Sequence, residues 1–138
     1  MMSTKVKFVL PAVVVALIAA ALLVVPPWLT GAGGTTMTAS TAAYTVRLST
    51  DGPREGPNTF DLDVTTRDGA PADLDDVTLQ PVMPQMGHAY PPVTAVRTGP
   101  GRYRAKDTVL AMTGYWQINV TLRGANDVQH AAFTLLVS

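Results

Sequence analysis

The chain has 138 residues, 47% of them hydrophobic and 14% charged, with ten Lys/Arg against ten Asp/Glu. A neutral chain of this size excludes a multidomain enzyme, a multi-span channel and a large buried active site, and it lacks the basic face of a nucleic-acid binder. It contains no cysteine, so a soft-metal site would have to be built from methionine and histidine rather than thiolate.

The apolar excess is concentrated at the start. Phe8 to Val25 carries no charge and ends in Pro26-Pro27-Trp28, while Lys5 and Lys7 precede it. A helix of that length rises roughly 27 Å, close to the thickness of a bilayer core. The proline pair suits a helix stop and Trp28 an interfacial anchor. This predicts a cytoplasmic N-terminus over 1–7 and a transmembrane helix over 8–28, with everything after it extracytoplasmic, periplasmic or at the cell surface. A cleaved signal peptide is the alternative, although such a segment usually has a shorter apolar run. Residues 29–42 are small, polar and without periodicity, which reads as a flexible linker.

Residues 43–138 read as short strands between turn clusters. Tyr44, Val46 and Leu48 alternate with polar residues, as do Phe60, Leu62 and Val64 after a loop rich in Gly and Pro. Val77 and Leu79 open a third strand, which Pro81 and Pro84 should stop from continuing as a central one. Val93–Arg97 is a short fourth. In Arg102–Lys106, Tyr103 and Ala105 face away from the three basic residues. Trp116, Ile118, Val120 and Leu122 line one face of the clearest strand, and Phe133, Leu135 and Val137 line the last. About seven strands with no 3.6-residue apolar period predict an all-β, immunoglobulin-like or cupredoxin-like sandwich.

Catalytic constellations are scarce. There is no Cys nucleophile, no Gly-x-Ser-x-Gly turn and no phosphate-binding glycine loop, so the chain is not read as an enzyme. Asp73, Asp75 and Asp76 lack calcium-loop spacing and read as a solvated turn. His130 alternates out of phase with Phe133, Leu135 and Val137, and should face away from the core.

One segment stands apart, Pro81-Val82-Met83-Pro84-Gln85-Met86-Gly87-His88-Ala89-Tyr90-Pro91-Pro92. Met83, Met86 and His88 fall within six residues of a proline-stiffened loop, and restricted backbones lose less entropy on binding. Two thioethers and an imidazole add no charge and favour Cu(I) over harder ions. Against this, methionines often fill irregular gaps beneath loops. Met112, in Met112-Thr113-Gly114-Tyr115-Trp116, shares parity with Trp116 and Ile118. That reads as core packing at the start of the strand, with a third thioether at the rim as the other reading. Gly114 leaves space between Met112 and Trp116, where the indole could cover a cation.

Met83-Pro84-Gln85-Met86-Gly87-His88, Gly101-Arg102-Tyr103 and Met112-Thr113-Gly114-Tyr115-Trp116 together resemble the YtkA-like/FixH-like exported domains. The resemblance covers about residues 80–123, with a strand layout that extends over 43–138. It implies a small β-sandwich behind a membrane anchor or signal, related to CopC-type copper-binding folds. It also implies extracytoplasmic copper handling, often linked to delivery to respiratory oxidases, and points to Met83, Met86, His88 and Met112 as metal ligands. The leading expectation is a membrane-tethered Cu(I)-binding protein that buffers copper or passes it to a copper enzyme or chaperone. The other is a metal-free interaction module that scaffolds a membrane complex.

Overall fold

The computed structural model describes residues 34–138, which fold around one core. The expected transmembrane helix over 8–28 lies outside the described residues. Among these there is no helix long and apolar enough to cross a membrane.

Among the described residues, ten strands and one 3-10 turn succeed each other. They are β1 (Gly34–Ser40), β2 (Tyr44–Asp51), β3 (Gly56–Thr66), β4 (Asp76–Met83), the turn Pro84–Met86, β5 (His88–Ala89), β6 (Val93–Thr94), β7 (Val96–Gly99), β8 (Arg102–Leu110), β9 (Gly114–Arg123) and β10 (Val128–Val137). All pairings between them are antiparallel. One sheet has the order β1-β2-β3-β8-β7, the other β10-β9-β4-β5, with β6 also paired to β4. The all-β expectation therefore holds, as two antiparallel sheets.

The alternating residues supply the core. Val46, Leu48, Phe60, Leu62 and Val64 face Trp116, Ile118, Val120, Leu122, Phe133, Leu135 and Val137, all buried. Burying each such side chain stabilises the fold by roughly 1.5–3 kcal/mol before the entropy of ordering it is subtracted. The buried Tyr103 hydroxyl donates to the Ala72 carbonyl at 3.0 Å and accepts the Leu74 N–H at 2.9 Å, so its one polar atom is satisfied inside the core.

Three expectations are corrected. The linker over 29–42 does not extend to its predicted end, because Gly34–Ser40 forms β1, paired in full register with β2. Met37 and Ala39 pack against the core from one face of β1 while Thr36, Thr38 and Ser40 are exposed. An edge strand buries only part of one face, so small and polar residues suffice and no strong apolar alternation marks it.

The second correction concerns Pro81. It lies within β4, opposite Ile118, although β4 is flanked by β9 on one side and by β5 and β6 on the other. On that other side β6 pairs with Thr78 and Leu79 and β5 with Val82 and Met83, so the ladder is broken where proline lacks its N–H. Third, the single strand expected over Val93–Arg97 is divided. Val93–Thr94 pairs with β4 in one sheet and Val96–Gly99 with β8 in the other, so the chain crosses between sheets at the buried Ala95.

A bulge in β8 sets how that strand leads into β9. Asp107 has φ 55, and the register with β3 shifts between Asn58 and Phe60. The inward set passes from Tyr103 and Ala105 to Thr108 and Leu110, three residues on rather than two. One extra residue thus rephases the strand, so that its last residue, Leu110, is buried.

Gly101 provides a separate test of the packing. It has φ +66, and a Cβ there would lie 2.7 Å from the Val64 carbonyl oxygen and 3.0 Å from Pro71 Cα. Both obstacles belong to backbone held in place, since the Val64 N–H donates to the Gly101 carbonyl at 2.7 Å. Gly101→Ala is expected to lower stability by more than about 1 kcal/mol, seen as a drop of at least roughly 4 °C in the thermal midpoint. An unchanged midpoint would contradict the close approach.

Candidate metal centre

The register places all the candidate ligands at one end of the sandwich. Gly114 at the start of β9 is opposite Val137 at the end of β10, and Gly56 at the start of β3 is opposite Leu110 at the end of β8. Met83 ends β4 beside β9, and the Ala111–Thr113 connection joins β8 to β9 at the same level. Gly34, the first residue of β1, is opposite Asp51 at this end too.

Met83 and His88 are direct partners across the β4–β5 pair, with Val82 opposite Ala89. Residues directly opposite in antiparallel strands share a face of the sheet, so His88 is on the side toward which Met83 points. The Pro84–Met86 turn joins them, closed by Gly87 in the left-handed region at φ 65, whose N–H donates to the Pro84 carbonyl at 3.2 Å. Proline at the first helical position presets the turn.

Exposure divides the four candidates. Met86 is 52% exposed and His88 is exposed, so both are open to a metal ion from solvent. Met112 is partly buried and packs against the core. Met83 is only 5% exposed and belongs to the core cluster. Its terminal methyl lies over Gly114, where an added Cβ would come within 2.9 Å of it. Gly114 also has φ +128, a conformation that a side chain would strain. The space expected between Met112 and Trp116 is therefore occupied by Met83.

Trp116 lies on the core face, as its parity predicts, and not at the surface. It is fully buried, its Nε1–H donates to the Met112 carbonyl at 2.9 Å, and the Tyr90 ring packs against it at 5.4 Å between centroids. A buried ring with this neighbour does not cover a surface cation. Tyr90 is held in turn, its N–H donating to the Pro81 carbonyl at 3.0 Å and its carbonyl accepting from Gln80 Nε2 at 3.1 Å. Trp116 thus touches both the Met112 segment and the chain two residues beyond His88.

Charge is segregated across the molecule. Residues 77–96, 108–122 and 128–138, which form most of β4, β5, β6, β9 and β10 and their connections, contain no Asp, Glu, Lys or Arg. On the outer face of the other sheet, Arg104 pairs with Asp61 at 2.7 Å and Arg102 with Asp63 at 3.4 Å. The hydrogen bond from Arg104 to Asp61, and then the charge of Asp61, hold the guanidinium above its ordinary pKa. Among the described residues no three His, Asp or Glu side chains are grouped to hold a metal ion. The donors gathered at the methionine turn are soft and neutral.

The remaining candidates lie elsewhere. His130 is exposed on the outer face of β10, with Nδ1 3.3 Å from Thr121 Oγ1, toward the end of the sheet that holds Arg123. It faces away from the core, as its parity predicts, and is not part of the methionine turn. Asp73 pairs with the exposed Arg97 at 2.7 Å, a surface contact of little energetic weight.

The family model that matches this chain is YtkA-like, over residues 38–121. The chain belongs to the YtkA-like family. The match begins within β1, ends within β9 and includes Met83, Met86, His88 and Met112. No curated protein and no solved structure matches it.

One residue at this end of the YtkA-like domain carries no signal in the sequence. Glu55, in the β2–β3 loop, accepts the Thr113 N–H at 3.1 Å through Oε1. It is 58 positions away along the chain, in a loop legible only as a loop.

Proposed function

We propose that the domain is an extracytoplasmic Cu(I)-binding protein, anchored through residues 8–28, that buffers copper or passes it to a membrane copper enzyme such as a respiratory oxidase. The observation that carries this reading is the β4–β5 hairpin. It sets His88 opposite Met83, with the exposed Met86 in the turn between them, at the end of the sandwich where Met112 lies. Met86 and His88 would be the exposed donors, Met112 a partly buried third, and the buried Met83 the floor of the site. Thioethers and imidazole match a soft monovalent ion, and three neutral donors leave its charge at +1. Exposed donors on a turn also favour transfer, because an incoming ligand from a partner can replace them one at a time. Export is supported by the charge-free run after Lys5 and Lys7.

Competition for Cu(I) against a chromogenic chelator tests the proposal. The wild-type chain should withdraw copper, and Met86→Ala and His88→Ala should each weaken binding by more than about tenfold. Failure to compete, or equal competition by these variants, removes the reading.

A second reading is favoured by the outer face of the β10-β9-β4 sheet, which carries charge only at the Asp76–Arg123 end and on which Tyr115 and Leu136 are paired and both exposed. A metal-free scaffolding module would use this face. Its capture of a membrane partner would survive loss of Met86 and His88, whereas copper delivery would not.

A further inference from the structure

The Met112–Thr113 peptide group is held from both sides. Its carbonyl accepts the Trp116 indole N–H at 2.9 Å from the core, and its N–H donates to Glu55 Oε1 at 3.1 Å from the surface. These two bonds fix one peptide plane, of which Met112 Cα is a member.

Neither partner is free to drift. Trp116 is fully buried, with Tyr90 against its ring. Glu55 is itself exposed, but both its neighbours are bound by the buried Asn58. Asn58 Nδ2 donates to the Arg54 carbonyl at 2.8 Å and to the Gly56 carbonyl at 2.9 Å, and its Oδ1 accepts the Arg54 N–H at 3.1 Å. A buried side chain thus sets the loop that presents Glu55.

We infer that Trp116 and Glu55 are positioning residues that clamp the Met112–Thr113 peptide and thereby aim Met112 toward the turn bearing Met86 and His88. The inference rests on the Cu(I) reading above and deepens it. Neither residue is a ligand. The indole has no free donor left once bound to Met112, and the Glu55 carboxylate acts through the Thr113 N–H. Outer-shell groups that orient metal ligands typically affect affinity by about 10–100-fold. The indole bond is sheltered and the Glu55 bond exposed, so Trp116 should contribute more.

The test uses the full chain in detergent micelles, with Cu(I) as the probe and chelator competition as the readout, after circular dichroism has verified folding. Trp116→Phe retains an aromatic ring but lacks the N–H, and should weaken binding about tenfold. Glu55→Ala should weaken it about threefold, whereas Glu55→Gln, whose carboxamide oxygen still accepts the Thr113 N–H, should stay close to wild type. The decisive measurement is the double-mutant cycle. In a Met112→Leu background, Trp116→Phe and Glu55→Ala should have no further effect, while in a Met86→Ala background they should keep theirs.

Equal losses in both backgrounds would show a general structural role and overturn the clamp. So would wild-type affinity in both Trp116→Phe and Glu55→Ala, or a Glu55→Gln defect as large as that of Glu55→Ala. If Trp116→Phe does not fold, the Glu55 pair of variants decides alone. Failure of the underlying Cu(I) reading looks different, because the wild-type chain itself would then not compete for copper, and the clamp would fall with it.

Discussion

Met83→Ala should lower the stability of the folded domain by about 2–5 kcal/mol, while Met86→Ala should leave it within about 0.5 kcal/mol of wild type. The two residues belong to one Met-Pro-x-Met sequence and look equivalent there. Met83 is 5% exposed within the core cluster, and Met86 is 52% exposed on the turn. Removing the Met83 side chain takes away its transfer free energy and leaves a void over Gly114, where its methyl now lies. Cu(I) affinity should respond in the opposite order, falling by more than about tenfold in Met86→Ala at unchanged stability. Denaturant unfolding and chelator competition on the same two variants separate the effects. Equal destabilisation by both would mean that the turn is packed rather than open, and would remove Met86 from the accessible donors.

Starting the domain at residue 43 instead of 34 should cost roughly 2–3 kcal/mol, from the lost burial of Met37 and Ala39 and the exposure of β2 as an edge. β1 pairs with β2 from Gly34↔Asp51 to Ser40↔Thr45. The turn between them is tied to the other sheet, since the Ala43 N–H donates to Gln129 Oε1 at 2.9 Å and the Thr41 hydroxyl donates to the same oxygen. Truncation therefore removes one strand and weakens the tie between the β1–β2 turn and β10. The shorter chain should also self-associate, because β2 would present a long unpaired edge. Unfolding midpoints and light scattering of chains 34–138 and 43–138 measure both. Indistinguishable behaviour would return residues 34–42 to the role of a linker.

These two cases show how far the sequence reaches. Strands with one face buried against the opposite sheet alternate strictly, and Trp116, Ile118, Val120 and Leu122 are readable for that reason. β1 is not, because its buried face carries only Thr35, Met37 and Ala39, each partly covered. Pro81 misleads because a proline within a strand is excluded only where its N–H would join a ladder, and here that ladder is interrupted. The rephasing bulge at Asp107 depends on pairing with β3, which no local pattern announces.

The site divides in the same way. Met83, Met86 and His88 are close along the chain, so their grouping is legible without a fold, and in a chain without cysteine thioethers and imidazole are the soft donors the sequence offers. What tertiary structure decided is which of these side chains are open to solvent. Burial turned Met83 into the floor of the turn and Trp116 into a hydrogen-bonded post rather than a cover for a cation. It also brought Glu55 to Thr113 from 58 positions away. Residue type and short-range spacing set the chemistry a segment can offer. Exposure and long-range hydrogen bonding depend on how two sheets close over each other, a property no single segment contains.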